Sequence, residues 1–250
     1  MCGRFTLKCS PAQLAEAMPD WPALEARLLE KPRYNIAPTQ PVVSLRCAEM
    51  GVRPADDNPP VFDVFQWGLV PGWIRETQPA QRHINARSEE AAVKPAFRGA
   101  MRHRRCLVPA TGFYEWTEVD GQRQPYYFSR EDGQPFALAG LWEIWLAPDG
   151  SELRSCSLLT TRASDLLADL HHRMPVILPR EHHDAWLHPE RLKPAEATAL
   201  CRPTPAKGWQ RHAVSTRVNS FRPDDARLVE PVEPIRERAL DFMDQLFAQD

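Results

Sequence analysis

The chain has 250 residues, 43% hydrophobic and 26% charged, with 31 Lys plus Arg against 33 Asp plus Glu and a net charge of -2. That apolar content suffices for a sizeable core and excludes disordered and collagen-like classes, while the near-neutral balance confines any nucleic-acid contact to a local patch. Apolar runs fall short of the ~20 residues a membrane helix requires, and Met1-Cys2-Gly3-Arg4 opens no basic-then-apolar leader, so a soluble, cytoplasmic chain without a membrane partner is expected.

In chain order, Ser10-Pro11-Ala12-Gln13 has the spacing of a helix start and predicts a short helix over 11–18. Asp20 opens a second helix with Leu24 and Leu28 on one face, closed by Pro32. Segments 41–47 and 61–67 read as strands around a loop rich in Pro, Asp and Asn. Asp-Gly pairs at 120–121, 132–133 and 149–150 predict an antiparallel meander with strands over 111–118, 124–129, 135–146 and 152–160. Further on, helices are expected over 164–170, 181–188 and 194–201, short strands over 175–178 and 212–215, and a helical tail from Glu233 on the spacing of Ile235, Ala239, Phe242 and Leu246. With no repeat or flexible linker, the pattern is an α+β domain on an antiparallel sheet or barrel with short peripheral helices, over 1–231, followed by the tail at 232–250. Cysteines at 2, 9, 47, 106, 156 and 201 are too scattered for a CxxC pair or a disulfide framework and are read as reduced thiols.

Cys2 carries the chemistry through its position. Removal of the initiator methionine, expected before a small residue, gives it a free α-amine beside its thiol. An α-amine titrates near 8 and lysine near 10.4, so far more of the terminal amine is neutral and nucleophilic at pH 7. Such an amine attacks an aldehyde to give a Schiff base, and the thiol can close on the imine carbon to form a thiazolidine.

Cys2 keeps distinctive company: Met1-Cys2-Gly3-Arg4-Phe5, Arg33-Tyr34-Asn35-Ile36-Ala37-Pro38, Trp67-Gly68-Leu69-Val70-Pro71-Gly72-Trp73, Ile84-Asn85-Ala86-Arg87-Ser88-Glu89, Gly112-Phe113-Tyr114-Glu115-Trp116 and His171-His172-Arg173-Met174-Pro175. This ordered set, running from Cys2 to about Pro231, resembles the SOS response-associated peptidase family of abasic-site sensors. The resemblance implies a single α+β domain around a barrel-like sheet. It also implies capture of the ring-opened aldehyde of an abasic site in single-stranded DNA as a thiazolidine crosslink, with an associated lyase and an N-terminal peptidase activity. On it, Cys2 is the nucleophile, Asn85 positions the terminus, Glu115 is the acid/base carboxylate and His171 the proton-transfer histidine. The resemblance assigns DNA contacts to Arg4, Asn35, Pro38, Trp73, Arg87, Thr160 and Arg173, with Thr161 beside them. Guanidinium forks suit phosphates, and an aromatic platform such as Trp73 binds any base by its face.

A cluster at Arg98, Arg102, His103, Arg104 and Arg105 adds local positive charge and reads equally well as a solvated helix end. A carboxylate between Tyr114 and Trp116 is expected to have a raised pKa. No cofactor or metal is expected, and a monomer is. Two rivals remain. Cys2-Gly3 also opens glutamine amidotransferases of the terminal-cysteine class, though Arg4-Phe5 is not their pattern. A zinc module would require clustered ligands, and His171-His172 and His182-His183 lack Cys partners at finger spacing. The segment ending Val218-Asn219 departs from the family in having Ser220 where a second Asn is usual.

Overall fold

The computed structural model describes residues 2–47, 58–75 and 82–235. The described residues form a mixed α+β structure dominated by strands in two sheets. In chain order the strands are β1 (Arg4–Leu7), β2 (Arg33–Ile36), β3 (Pro41–Cys47), β4 (Pro60–Trp67), β5 (Asn85–Arg87), β6 (Arg105–Ala110), β7 (Gly112–Val119), β8 (Gln122–Arg130), β9 (Phe136–Leu146), β10 (Glu152–Arg162), β11 (Arg173–Pro175), β12 (Ile177–Leu178) and β13 (Trp209–Ala213). The short helices are α1 (Pro11–Ala17), α2 (Ser88–Ala91), α3 (Arg98–His103), α4 (His183–Leu187) and α5 (Pro194–Leu200).

One sheet closes on itself. Strands β4, β3, β6 and β9 follow one another antiparallel, β10 pairs with β9 along seven residues, and the parallel match of Cys156 with Trp67 joins β10 back to β4. This five-stranded barrel has no free edge along its circuit. Of its strands, β6 is buried at every position, so that part of the wall is covered on both faces, whereas β4 is half-buried along most of its length. The second sheet has the order β13-β8-β7-β1-β2.

The expected meander is corrected by this arrangement. Asp120 and Gly121 both have positive φ, the type I′ geometry of a two-residue hairpin, and join β7 to β8. The turn at 149–150 likewise joins β9 to β10. The middle turn, at 132–133, instead passes the chain from the second sheet to the barrel, so β8 and β9 are not paired partners. A turn motif reports a reversal of direction, not which strand receives the hydrogen bonds.

The first helix forms where expected: the Ser10 hydroxyl accepts from Gln13 N, and the Gln13 side chain accepts from Ser10 N. The second does not. Only Ala26–Leu28 makes a single 3-10 turn, and Leu24 and Leu29 are buried at a spacing that no helix face provides. Trp21, whose indole N–H donates to His183 Nδ1 at 3.2 Å, fixes the segment against α4, and Pro22 disfavours helical geometry in the residue before it. Residues 165–170 form successive turns instead of the expected helix, with the Ser164 hydroxyl donating to Thr204 O at 2.5 Å. The helix expected over 181–188 is α4 preceded by a 3-10 turn at Arg180–His182, and the strand expected over 175–178 is split at Val176, whose N–H donates to Leu159 O. Residues 232–235 have no regular structure, and the remainder of the expected helical tail lies outside the described residues.

All six cysteines are free thiols. Among the described residues no helix is long and apolar enough to cross a membrane.

Candidate active site

The chain start reaches the seam between the two sheets. Strand β1 is sandwiched between β7 and β2, with Arg4 opposite Tyr114 and Phe5 opposite Ile36. A buried hydroxyl cluster fastens it: Thr6 Oγ1 lies 2.9 Å from both Thr111 Oγ1 and Tyr127 Oη. Gly112 is required here, since a Cβ at that position would lie 2.1 Å from Tyr127 Oη. Cys2 therefore enters the seam at a fixed height, fully buried.

From the barrel side, β5 runs parallel to β10, and its first residue, Asn85, donates from Nδ2 to Cys2 O at 2.8 Å. From the second sheet, β7 contributes Glu115, 2% exposed. His171 precedes β11 and lines, with Gly3, Arg4, Pro38, Glu115 and Trp116, an open cavity of about 380 Å³. Of the four residues expected to do chemistry, the fold thus brings Asn85 onto the Cys2 backbone and Glu115 and His171 onto one cavity.

Electrostatics follows from burial. Burial pushes the Cys2 thiol far above its ordinary range, and the nearby Glu115 charge pushes it further, so the sulfur is protonated at neutral pH. Burial likewise raises Glu115 to about 7, as its aromatic setting suggested, and leaves it able to give or take a proton near neutrality. His171 is lowered, first by burial, and its Nδ1 lies 2.8 Å from the Arg173 backbone N and 3.1 Å from the Arg173 carbonyl, which fixes the ring's orientation. The His172 ring stacks on it at 4.4 Å.

The expected DNA contacts divide into accessible and enclosed groups. Trp73 is 67% exposed, Arg87 projects outward beside Glu90, and Pro38 lines the cavity. Arg4 lines it too, with Nη1 donating to Asn35 Oδ1 at 2.9 Å and Val218 O at 2.6 Å. Asn35 is fully buried, and its amide nitrogen donates to Ser220 O and Pro223 O, so in this structure it holds Arg4 and the 218–224 segment in place and presents nothing to solvent. Thr160 is also fully buried; its carbonyl and hydroxyl accept from Arg173, whose guanidinium simultaneously grips Glu89 through two 2.8 Å bonds. Thr161 is buried as well. In the basic cluster, Arg105 is enclosed, donating to the carbonyls of Trp186, Met101, Leu192 and His188, and Arg104 pairs with Glu143, so neither offers free charge.

Trp116, Arg123 and Asn219 also line the cavity; Trp116 and Asn219 fall in the quoted motifs without an expected role, and Arg123 falls in none. The Arg123 guanidinium lies over the Trp116 ring at 5.2 Å, and Trp116 Nε1 donates to Asn219 Oδ1 at 2.7 Å. The β7–β8 register was the available signal for Arg123, which a two-residue turn at 120–121 places on the strand beside Glu115. The Ser220 departure is accommodated because Asn35 is bound there by a backbone carbonyl, which any residue supplies.

Fold and site together define a mixed α+β protein that presents its own N-terminal segment, through a paired strand, to an open cavity on the second sheet, with Asn85 holding the Cys2 carbonyl from the barrel side. The chain belongs to the SOS response associated peptidase (SRAP) family, whose family model matches residues 1–221. It is 33% identical over 234 residues to the abasic site processing protein YoqW of Bacillus subtilis (strain 168), covering 92% of this chain and 99% of that one. It is 31% identical over 242 residues to the abasic site processing protein YedK of Escherichia coli (strain K12), covering 93% and 100%. With the abasic site processing protein HMCES of Gallus gallus it shares 31% identity over 268 residues, covering 93% and 78%. A crystal structure of a protein from Bacteroides thetaiotaomicron superposes with a TM-score of 0.77 at 26% identity, covering 93% of this chain and 100% of that one.

Proposed function

We propose that this protein processes abasic sites in single-stranded DNA by forming a covalent thiazolidine between its mature N-terminal Cys2 and the lesion aldehyde. The observation that carries the reading is the bond from Asn85 Nδ2 to Cys2 O, which holds the chain start beside a carboxyl with a pKa of about 7. The names of the relatives, each an abasic site processing protein, agree with it.

The chemistry balances without an oxidant or a cofactor. Opening the sugar hemiacetal moves the proton of its C1′ hydroxyl to the ring oxygen, for which the Glu115 carboxyl and the His171 imidazole are the available groups. The Cys2 amine adds to the aldehyde carbon, and water leaves as the imine forms. The Cys2 sulfur then adds to that same carbon, its proton passing to the imine nitrogen by way of the Glu115 carboxylate. Because the thiol is protonated in the resting site, this last step requires a base, and a carboxyl that titrates at about 7 supplies one. Arg4 and Arg87 contribute charge for the flanking phosphates, and Trp73 a face for a neighbouring base.

Denaturing electrophoresis after mixing with abasic single-stranded DNA tests the reading. The mature protein is expected to give a retarded, heat-stable band. Cys2→Ser keeps the amine but loses the sulfur and is expected to give a band only when borohydride traps the imine. Equal crosslinking by a form with extra residues ahead of Cys2 would overturn the proposal, and ammonia release from glutamine would favour the amidotransferase chemistry.

A further inference from the structure

Apart from the cavity at the seam, an open groove of about 830 Å³ is walled by Arg98, Arg102 and His103 of α3, by Ala92 just after α2, and by Lys193 and Pro194 where α5 begins. None of the residues lining it is acidic. Arg98, Arg102 and Lys193 are exposed, and no carboxylate among the described residues forms an ion pair with any of them. Elsewhere on the surface, arginines such as Arg130, Arg211 and Arg217 are each held by an aspartate. Of the acids nearby in sequence, Glu196 Oε2 accepts Lys193 N at 2.7 Å and Glu90 pairs with Arg87 and Lys94, while Glu190 follows Pro189 and is exposed. His103 is held below its usual range, first by burial and then by the charges of Arg102, Arg104 and Arg105.

The shape argues for a row of phosphates. The cations are solvent-facing side chains along an open trough, not a buried cage that would enclose one small anion. The trough is close to the candidate site along the chain: Arg87, two residues from Asn85, stands five residues before Ala92, with α2 between them, about 8 Å at helical rise.

We propose that this groove carries the phosphate backbone of the DNA strand beyond the lesion, as a second and sequence-independent point of attachment. It rests on the DNA reading above, but its test does not require the lesion. Binding of undamaged single strands of about 30 and about 6 nucleotides is measured by fluorescence anisotropy over a range of KCl concentrations, for the full chain and for Arg98→Gln/Arg102→Gln. Every phosphate of a single strand that the protein no longer neutralises lowers the salt slope by about 0.7. The double variant is therefore expected to flatten the slope for the long strand by about 1.4 and to leave it unchanged for the short one. Should the double variant melt earlier than the native chain, Lys193→Gln is used, with an expected change of about 0.7. Equal slopes for variant and native chain on the long strand overturn the groove, as does flattening of the same size on both lengths. Crosslinking to abasic DNA, run in parallel, separates the two readings: a crosslink with unchanged slopes removes the groove alone, a changed slope with no crosslink removes the thiazolidine alone, and no binding to any strand removes both.

Discussion

Glu115 shows how one side chain's surroundings become a measurable property of the protein. Its folded pKa of about 7 stands above the ordinary 4.5, so between those values the folded chain keeps a proton that the unfolded chain has released. The stability this contributes is complete below about pH 4.5 and is lost as the pH rises through 7, a change of up to about 3 kcal/mol. Glu115→Gln removes the titration, so its stability relative to the native protein is expected to grow from pH 4.5 to 8; parallel urea midpoints for the two proteins across that range would contradict the assignment. At this scale much of the site was legible. Cys2 announces itself by position, and Glu115 by the aromatic residues on either side of it. Asn35 and Thr160 were legible only as members of the site: whether a side chain meets the ligand or props up one that does depends on what packs over it. Here Ser220, Pro223 and Arg173 do so, from segments distant in sequence.

Elements follow the same division. The capped start of α1 and the hairpin at 120–121 are set by residues within one or two turns of each other, and both form as the local chemistry dictates. The helix expected after Asp20 fails because Trp21 and Leu29 are claimed by the core, and β5 and β6 went unseen because their pairing partners lie far along the chain. Two substitutions probe the elements that fix the terminus. Gly112→Ala drives a methyl group into the buried Tyr127 ring, which in turn braces Thr6; a loss of at least about 2 kcal/mol is expected in chemical denaturation. Asn35→Ala takes the amide donor from the Ser220 and Pro223 carbonyls and the acceptor from Arg4, and is expected to cost about 1–3 kcal/mol and to weaken DNA binding, although Asn35 itself is sealed from solvent. An unaltered affinity in a destabilised Asn35→Ala protein would show that Arg4 is positioned by other means.

Across the whole molecule, the candidate site draws on both sheets: Glu115 and Arg4 line the cavity from one, while Asn85, paired into the other, holds the Cys2 carbonyl. That division escapes a reading by local pattern, because the Asp-Gly turns look alike whether they keep the chain in a sheet or hand it across. It also places the terminus under a timing constraint. Strand β1 is pinned by β7, which begins more than a hundred residues later, and in the finished protein Cys2 has no exposed surface. At about 5–20 residues per second, the nascent chain leaves the ribosome with its first residues unpaired for roughly 5–20 s before β7 is made. An aminopeptidase that removes Met1 would have that interval in which to expose the Cys2 amine. Native protein that has kept its methionine is therefore expected to resist trimming when the enzyme is added afterwards, and to yield Cys2 only if first unfolded, a difference of one methionine that intact mass spectrometry reads directly.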